Sequence, residues 1–265
     1  MLIFLILTTI YVIITLDFIK KERGNKMYDL TVLDRGCAEL GIQLEQRQRD
    51  QFVQYYELLI EWNKVMNLTG ITEFEEVLQK HFVDSLSVKK VVDLTKISRV
   101  IDVGTGAGFP GIPLKIVFPE LKITLLDSLQ KRIKFLNEVI GRLCLKDIEA
   151  IHGRAEEYAR RKEYREQYDL CVSRAVANLA SLSEYCLPYV KVGGWFVPYK
   201  SGKIQEELEN SKKAMELLGG RKKEVVFFQL PDSDIDRSLV IVEKAKNTLK
   251  RYPRKAGMPT KEPLI

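Results

Sequence analysis

The residues best suited to chemistry are Asp102, Gly104, Gly106, Gly108 and Phe109, in the run Asp102-Val103-Gly104-Thr105-Gly106-Ala107-Gly108-Phe109-Pro110-Gly111. Arg99-Val100-Ile101 before it reads as a buried parallel strand that ends at Val103, and residues 112–118 behind it read as a helix. Glycine suits such a turn because the backbone takes positive φ, a ligand approaches without meeting a Cβ, and the helix that follows presents free amides. Gly106 to Gly111 also satisfies the G-x-G-x-x-G pattern, so a nicotinamide or flavin dinucleotide competes for the turn. Asp127 closes the next apolar run, twenty-three residues after Gly104. It suits an acceptor for two ribose hydroxyls, with a helix cap made together with Ser128 as the lesser alternative.

The elements that position these residues alternate. Strands are expected at residues 121–126, 148–152, 168–173 and 194–200, separated by helical stretches such as 129–143. Two last strands, at 224–230 and 237–243, are joined by a connection too short for a parallel crossover, so that pair is antiparallel. The implied fold is α/β: a seven-stranded, mostly parallel sheet with its last strand reversed, helices on both faces and the ligand at the carboxyl ends of the strands. Arg174 ends the fourth strand, and Lys200 ends the fifth as a candidate for phosphate or cofactor contact.

Ahead of the sheet, Phe52, Tyr55, Tyr56, Leu59, Trp62, Val65 and Met66 recur at helical spacing, and we read them as core. Asn67-Leu68-Thr69-Gly70 ends that helix, and Thr72 to Glu75 opens another with a capping box. His81 and Asp84, three apart, fit a surface pair on that helix. Contacts to the ligand turn are the alternative.

Composition bounds the rest. The chain has 265 residues, 46% of them hydrophobic, with 42 Lys and Arg against 36 Asp and Glu. The formal charge of +6 and pI of 9.0 lean toward a polyanionic partner. Cys37, Cys144, Cys171 and Cys186 are far apart in apolar surroundings, as expected of reduced structural thiols in a cytoplasmic protein, and no metal site is readable. Residues 1–16 carry no charge and a basic cluster follows them, but the run is shorter than the roughly 20 residues that span a bilayer. We read residues 1–26 as an extension upstream of Met27 rather than a membrane anchor; removing them leaves +4. The expected organisation is this extension, a helical subdomain at 27–97, the α/β domain at 98–247 and a basic tail at 248–265, in a monomer.

The tail, residues 250–263, holds five basic groups and one acid. Its prolines and glycine argue against a helix, so it should lie over the fold or reach for phosphates through Arg251, Arg254 and Lys255. Lys131, Arg132 and Lys134 form a second basic patch just after Asp127.

An acid two residues before a G-x-G-x-G turn, with an antiparallel terminal pair, resembles the Rossmann-like class I S-adenosylmethionine (SAM) methyltransferases. The resemblance narrows with DVGTGAGFPGIPL at 102–114, Asn67-Leu68-Thr69, HFVDSL at 81–86, LDSLQKR at 126–132, GRAEE at 153–157 and SRAVA at 173–177. Over residues 27–265 the chain resembles the RsmG (GidB) family of bacterial 16S ribosomal RNA guanine-N7 methyltransferases. That resemblance implies that Gly104 and Phe109 line a SAM pocket with Asp102, Gly106 and Gly108, and that Asp127 holds the ribose. It also implies that Ala155 and Glu156 lie beside the adenine, that Arg174 touches the cofactor and positions the reactants, and that the target is a guanine in the 530 loop. Lys131, Arg132, Lys200, Arg251, Arg254 and Lys255 are then the candidate RNA contacts, and 16S RNA or the small subunit is the partner.

The residue inventory agrees with that chemistry. Guanine N7 has an in-plane lone pair and needs no general base, and neither His81 nor His152 belongs to a visible nucleophilic triad. The fourth strand ends in Ser-Arg-Ala, without an Asn-Pro-Pro-Tyr phrase, and Cys171 has no preceding proline, which argues against amino-group and cytosine-C5 methylation. An oxidoreductase and a non-catalytic SAM- or RNA-binding module are the competing readings.

Overall fold

A computed structural model describes residues 28–265. The expectations about residues 1–26 lie outside these residues. Among the described residues no helix is long and apolar enough to cross a membrane.

The described residues open with helices α1 (Thr31–Glu39) and α2 (Gln46–Met66), then α3 (Phe74–Val77), a π-helical turn (Leu78–Val83) and α4 (Asp84–Leu86). The sheet elements are β1 (Arg99–Val103), β2 (Lys122–Asp127), β3 (Ile148–His152), β4 (Tyr168–Arg174), β5 (Val190–Ser201), β6 (Gly220–Gln229) and β7 (Asp236–Lys244). Between them run α5 (Gly111–Val117), α6 (Gln130–Arg142), α7 (Ala155–Tyr158), α8 (Leu179–Cys186) and α9 (Gln205–Leu217), with α10 (Met258–Lys261) in the tail.

The seven strands lie in the order β3-β2-β1-β4-β5-β7-β6. β7 runs antiparallel to both neighbours, and the other pairings are parallel. Strand order reverses between β1 and β4, so the crevice at their carboxyl ends is where this architecture binds ligands. It places Val103 and Arg174 at the carboxyl ends of neighbouring strands.

The helical subdomain is bound to the sheet through the apolar face of α2. Phe52, Tyr55 and Leu59 are fully buried, and burial of each such side chain contributes about 1.5–3 kcal/mol. Gln48 and Gln51 extend the contact by donating to the carbonyls of Ile116, Val117 and Leu143. Val65 departs from the expected core face: it is 80% exposed, while Trp62 and Met66 beside it pack against the core, and Asn67 ends the helix in the left-handed region at φ 49°. The capping box expected at Thr72 to Glu75 is absent; Glu73 is the N-cap and makes no side-chain cap bond. A capping box is present instead at Glu45 and Gln48. Cys37, Cys171 and Cys186 are buried as expected, but Cys144 is exposed, at φ 52° in the turn after α6.

Candidate active site

Asp102 lies in β1 beneath the glycine turn and is fully buried. Its Oδ2 accepts from Thr105 Oγ1 at 2.6 Å and from the Gly111 amide at 2.9 Å, so one carboxylate oxygen ties both ends of the turn. Oδ1 has no partner among the described residues, and burial pushes the carboxyl up to about 6. Gly104, at φ 73°, and Gly108, at φ 98°, take conformations that disfavour a side chain. A Cβ on Gly108 would also lie 2.7 Å from the Tyr55 hydroxyl, which donates to the Ala107 carbonyl.

Most of the amides expected to be free in this turn are engaged within the fold. Gly106 donates to Asp127 Oδ2, Phe109 to the Thr105 carbonyl, Gly111 to Asp102 and Ile112 to the Gly108 carbonyl. Pro110 and Pro113 have no N–H to offer. An anion cradle of the dinucleotide type therefore has few donors left here, and the buried Asp102 carboxyl beneath the turn disfavours a pyrophosphate.

Two cavities open at the carboxyl edge of the sheet and share Gly104, Arg132 and Ala175. The smaller, of about 290 Å³, is walled by Val103, Leu126, Asp127, Ala155, Glu156 and Val176 among others. Asp127 is 2% exposed. Its Oδ1 accepts from the Leu129 amide at 2.9 Å, the capping bond, and its Oδ2 meets Arg132 Nη1 at 3.1 Å. The capping expectation for Asp127 holds, since Oδ1 organises the start of α6; Oδ2, on the cavity wall, also accepts the Gly106 amide at 2.9 Å. Ala175 forms part of the shared wall in the left-handed region at φ 55°, a strained placement for a non-glycine residue of the kind that collects at functional sites.

The larger cavity, of about 530 Å³, is lined by Thr69, His81, Phe109, Arg174, Tyr199 and Arg237 among others. Here the surface-pair reading of His81 and Asp84 fails. Asp84 is 3% exposed and accepts from Arg174 Nη1 at 2.9 Å and Arg237 Nε at 3.1 Å. His81 stacks on the Phe109 ring at 4.6 Å, with the Arg174 guanidinium 5.1 Å from the same ring centre. Burial first and the Arg174 charge second drive the His81 pKa down to about 3, so the ring is neutral at physiological pH. The π-helical turn carries His81, in keeping with the frequent occurrence of such turns at functional sites. Arg237 was missed in the sequence because only the reversal of β7 brings it beside the end of β5.

The tail is part of the site's wall. Thr260 lines the smaller cavity and its hydroxyl pairs with Tyr185 at 2.6 Å. Glu156, expected beside the adenine, lines the same cavity and accepts from the Gly257 amide at 2.8 Å. Contrary to expectation the tail contains a helical turn, α10: Gly257 takes φ 83° ahead of it and Pro259 falls in the first turn, where a missing N–H costs nothing. Of the proposed RNA contacts, Lys131, Arg251 and Lys255 are exposed and Arg132 is half-buried against Asp127. Lys200 is bound to Glu207 at 2.7 Å and to the Ala177 carbonyl, and Arg254 is bound to buried Glu184. Among the described residues no cluster of metal-ligating side chains occurs.

Comparison with known proteins agrees with this geometry. The fold is similar to a solved structure described as StiE O-MT residues 961-1257, with TM-score 0.51 and 17% identity over 71% of this chain and 82% of that one. Curated relatives named ribosomal RNA small subunit methyltransferase G are far more similar in sequence. The one from Lachnoclostridium phytofermentans is 58% identical over 239 residues, covering 90% of this chain and 99% of its own. The one from Clostridium tetani is 50% identical over the same shares, and the one from Acetivibrio thermocellus is 54% identical over 88% of this chain and 96% of its own. The family model described as rRNA small subunit methyltransferase G matches residues 48–240, and the chain belongs to that family.

Proposed function

We propose that the protein transfers a methyl group from SAM to N7 of a guanine in 16S ribosomal RNA, in the 530 loop. The observation that carries this reading is the pair of cavities meeting at Gly104, one lined by Asp127, Glu156 and apolar side chains and one lined by cations and aromatic rings. The residues present suit SAM. Asp127 offers carboxylate oxygens to a ribose diol, Val103, Leu126, Ala155 and Val176 offer apolar surface to an adenine, and Gly104 leaves the backbone open to the methionine portion. SAM, when bound, supplies an electrophilic methyl carbon that the in-plane lone pair of N7 can take without first losing a proton.

The chain's residues then have two tasks, alignment and charge. Alignment of two reactants across a shared wall is where most of the rate can come from. Phe109, His81 and Arg174 form a rigid stack on one side of the larger cavity. Asp84, held between Arg174 and Arg237, offsets one of their two positive charges, which reduces the repulsion met by the positive charge the guanine acquires. His81 is neutral and its two ring nitrogens are engaged by protein groups, so it takes no proton from the substrate.

Radiolabelled methyl transfer from SAM to small subunits, or to 16S RNA, from a strain that lacks the modification tests the reading. Transfer together with calorimetric binding of SAM is expected. Binding of NADH without SAM, or SAM binding with no transfer to either substrate, overturns it.

A further inference from the structure

The larger cavity contains a chain of hydrogen bonds that the nucleoside side of the site does not use. It runs from Arg174 through His81 to Thr69. Arg174 Nη2 lies 3.4 Å from His81 Nδ1, and His81 Nε2 lies 2.7 Å from Thr69 Oγ1. A guanidinium nitrogen carries only hydrogens, so Nδ1 facing it must be the acceptor. The Lys80 carbonyl, 3.2 Å from Nδ1, takes Arg174 Nη1 at 3.2 Å on one of its two lone pairs, so it does not fix the tautomer; the Arg174 Nη2 hydrogen aimed at Nδ1 favours Nδ1 as the acceptor. The ring is neutral, because burial and Arg174 oppose a second proton. Its one hydrogen is therefore assigned to Nε2, which donates to Thr69.

Thr69 Oγ1 also accepts the Ile71 amide at 3.0 Å. Two incoming hydrogens occupy both lone pairs of the hydroxyl, so its own hydrogen has to point elsewhere. Among the described residues no acceptor is paired with it. The loop is held from beneath by the Thr69 amide donating to Asn63 Oδ1 at 2.9 Å, and Thr69 lines the larger cavity together with Gly106 and Phe109. The result is a hydroxyl whose donor direction is set by two neighbours and whose surroundings are a substrate-sized space.

We propose that the Thr69 hydroxyl is a specificity-determining hydrogen-bond donor in the substrate cavity, oriented by His81 and Arg174, and that it reads the O6 acceptor of the target guanine. A fixed donor accepts O6 and opposes adenine, which presents an amino donor at the equivalent position. The inference rests on the methyl-transfer reading above. It adds which atom selects the base.

The test is a cycle between protein and substrate. Single-turnover rates are measured for wild type, Thr69→Val and Thr69→Ser on RNA with guanine or 2-aminopurine, which lacks O6, at the target position. SAM affinity is followed by calorimetry. With guanine, Thr69→Val should lose about tenfold to a hundredfold in kcat/KM, the range expected for one lost buried hydrogen bond. Thr69→Ser should restore most of it, and SAM affinity should hold within about twofold. With 2-aminopurine the wild type should fall to the level of Thr69→Val, and the variant should lose little more, because hydroxyl and O6 are two ends of one bond. Additive losses, an unchanged rate in Thr69→Val, or a large loss of SAM affinity would each overturn the proposal. Failure of wild type to methylate the guanine RNA would instead overturn the underlying reading, and the two failures are told apart in the same experiment.

Discussion

Arg254 of the C-terminal tail forks onto Glu184 of α8, with Nε 3.0 Å from Oε1 and Nη2 2.7 Å from Oε2, while its own backbone amide donates to Oε1 at 2.7 Å. Glu184 is fully buried. A cation that the sequence offers to RNA is thus the counter-charge that permits an acid inside the fold. The same clasp holds Gly257 on Glu156 and Thr260 on Tyr185, at the wall of the smaller cavity.

Arg254→Ala should therefore act on stability and on the nucleoside pocket together. Removing one partner of a buried ion pair costs about 3–5 kcal/mol, because the remaining charge is left uncompensated. The urea midpoint should fall accordingly, and SAM affinity should weaken as the Thr260 wall loosens. An unchanged midpoint with a loss confined to RNA binding would return Arg254 to the role its composition suggests.

Salt dependence separates exposed cations from engaged ones. Lys131, Arg251 and Lys255 are exposed, whereas Lys200 is engaged by Glu207. If the first three meet phosphates, replacing each by alanine should lower the slope of log K against log salt by about 0.7–0.9. Lys200→Ala should leave the slope unchanged. Filter binding to 16S RNA over a range of salt reads this directly, and equal slopes for all four variants and wild type would show that RNA lies elsewhere.

Two buried groups give stability opposite pH dependences. The His81 pKa is depressed from 6.5 to about 3, so its contribution is complete above pH 6.5 and is lost as pH falls toward 3. The Asp102 pKa is raised from 3.8 to about 6, so its contribution is complete below pH 3.8 and is lost as pH rises through 6. Between these limits they oppose one another. His81→Gln, which cannot titrate, should gain on wild type as pH falls from 6.5 to 4, seen as converging or crossing urea midpoints. A difference that stays constant with pH would mean that His81 titrates normally in the fold.

The sheet was legible in the sequence because buried parallel strands such as Ile123 to Leu126, broken only by Thr124, are nearly continuous apolar runs between turn signals. The reversed β7 followed from a connection too short to cross over. What the sequence concealed depends on partners far along the chain. Asp84 looked like one end of a surface pair because nothing local shows that Arg174 and Arg237 converge on it from β4 and β7. Arg254 looked free because Glu184 lies 70 positions away. The glycine turn was found by its residue types, but whether its amides were free depended on Asp102 and Asp127, whose oxygens receive two of them. Thr69 was noted within a motif, and only the contact with His81 gives its hydroxyl a direction.

The central claim is tested most directly by locating the methyl group. RNA from a strain lacking the modification is incubated with the protein and SAM, then treated chemically to cleave at N7-methylguanine and read by primer extension. The account predicts one new stop, at a guanine of the 530 loop, that requires both protein and SAM. Methyl incorporation without cleavage, or cleavage confined to other guanines, would contradict it.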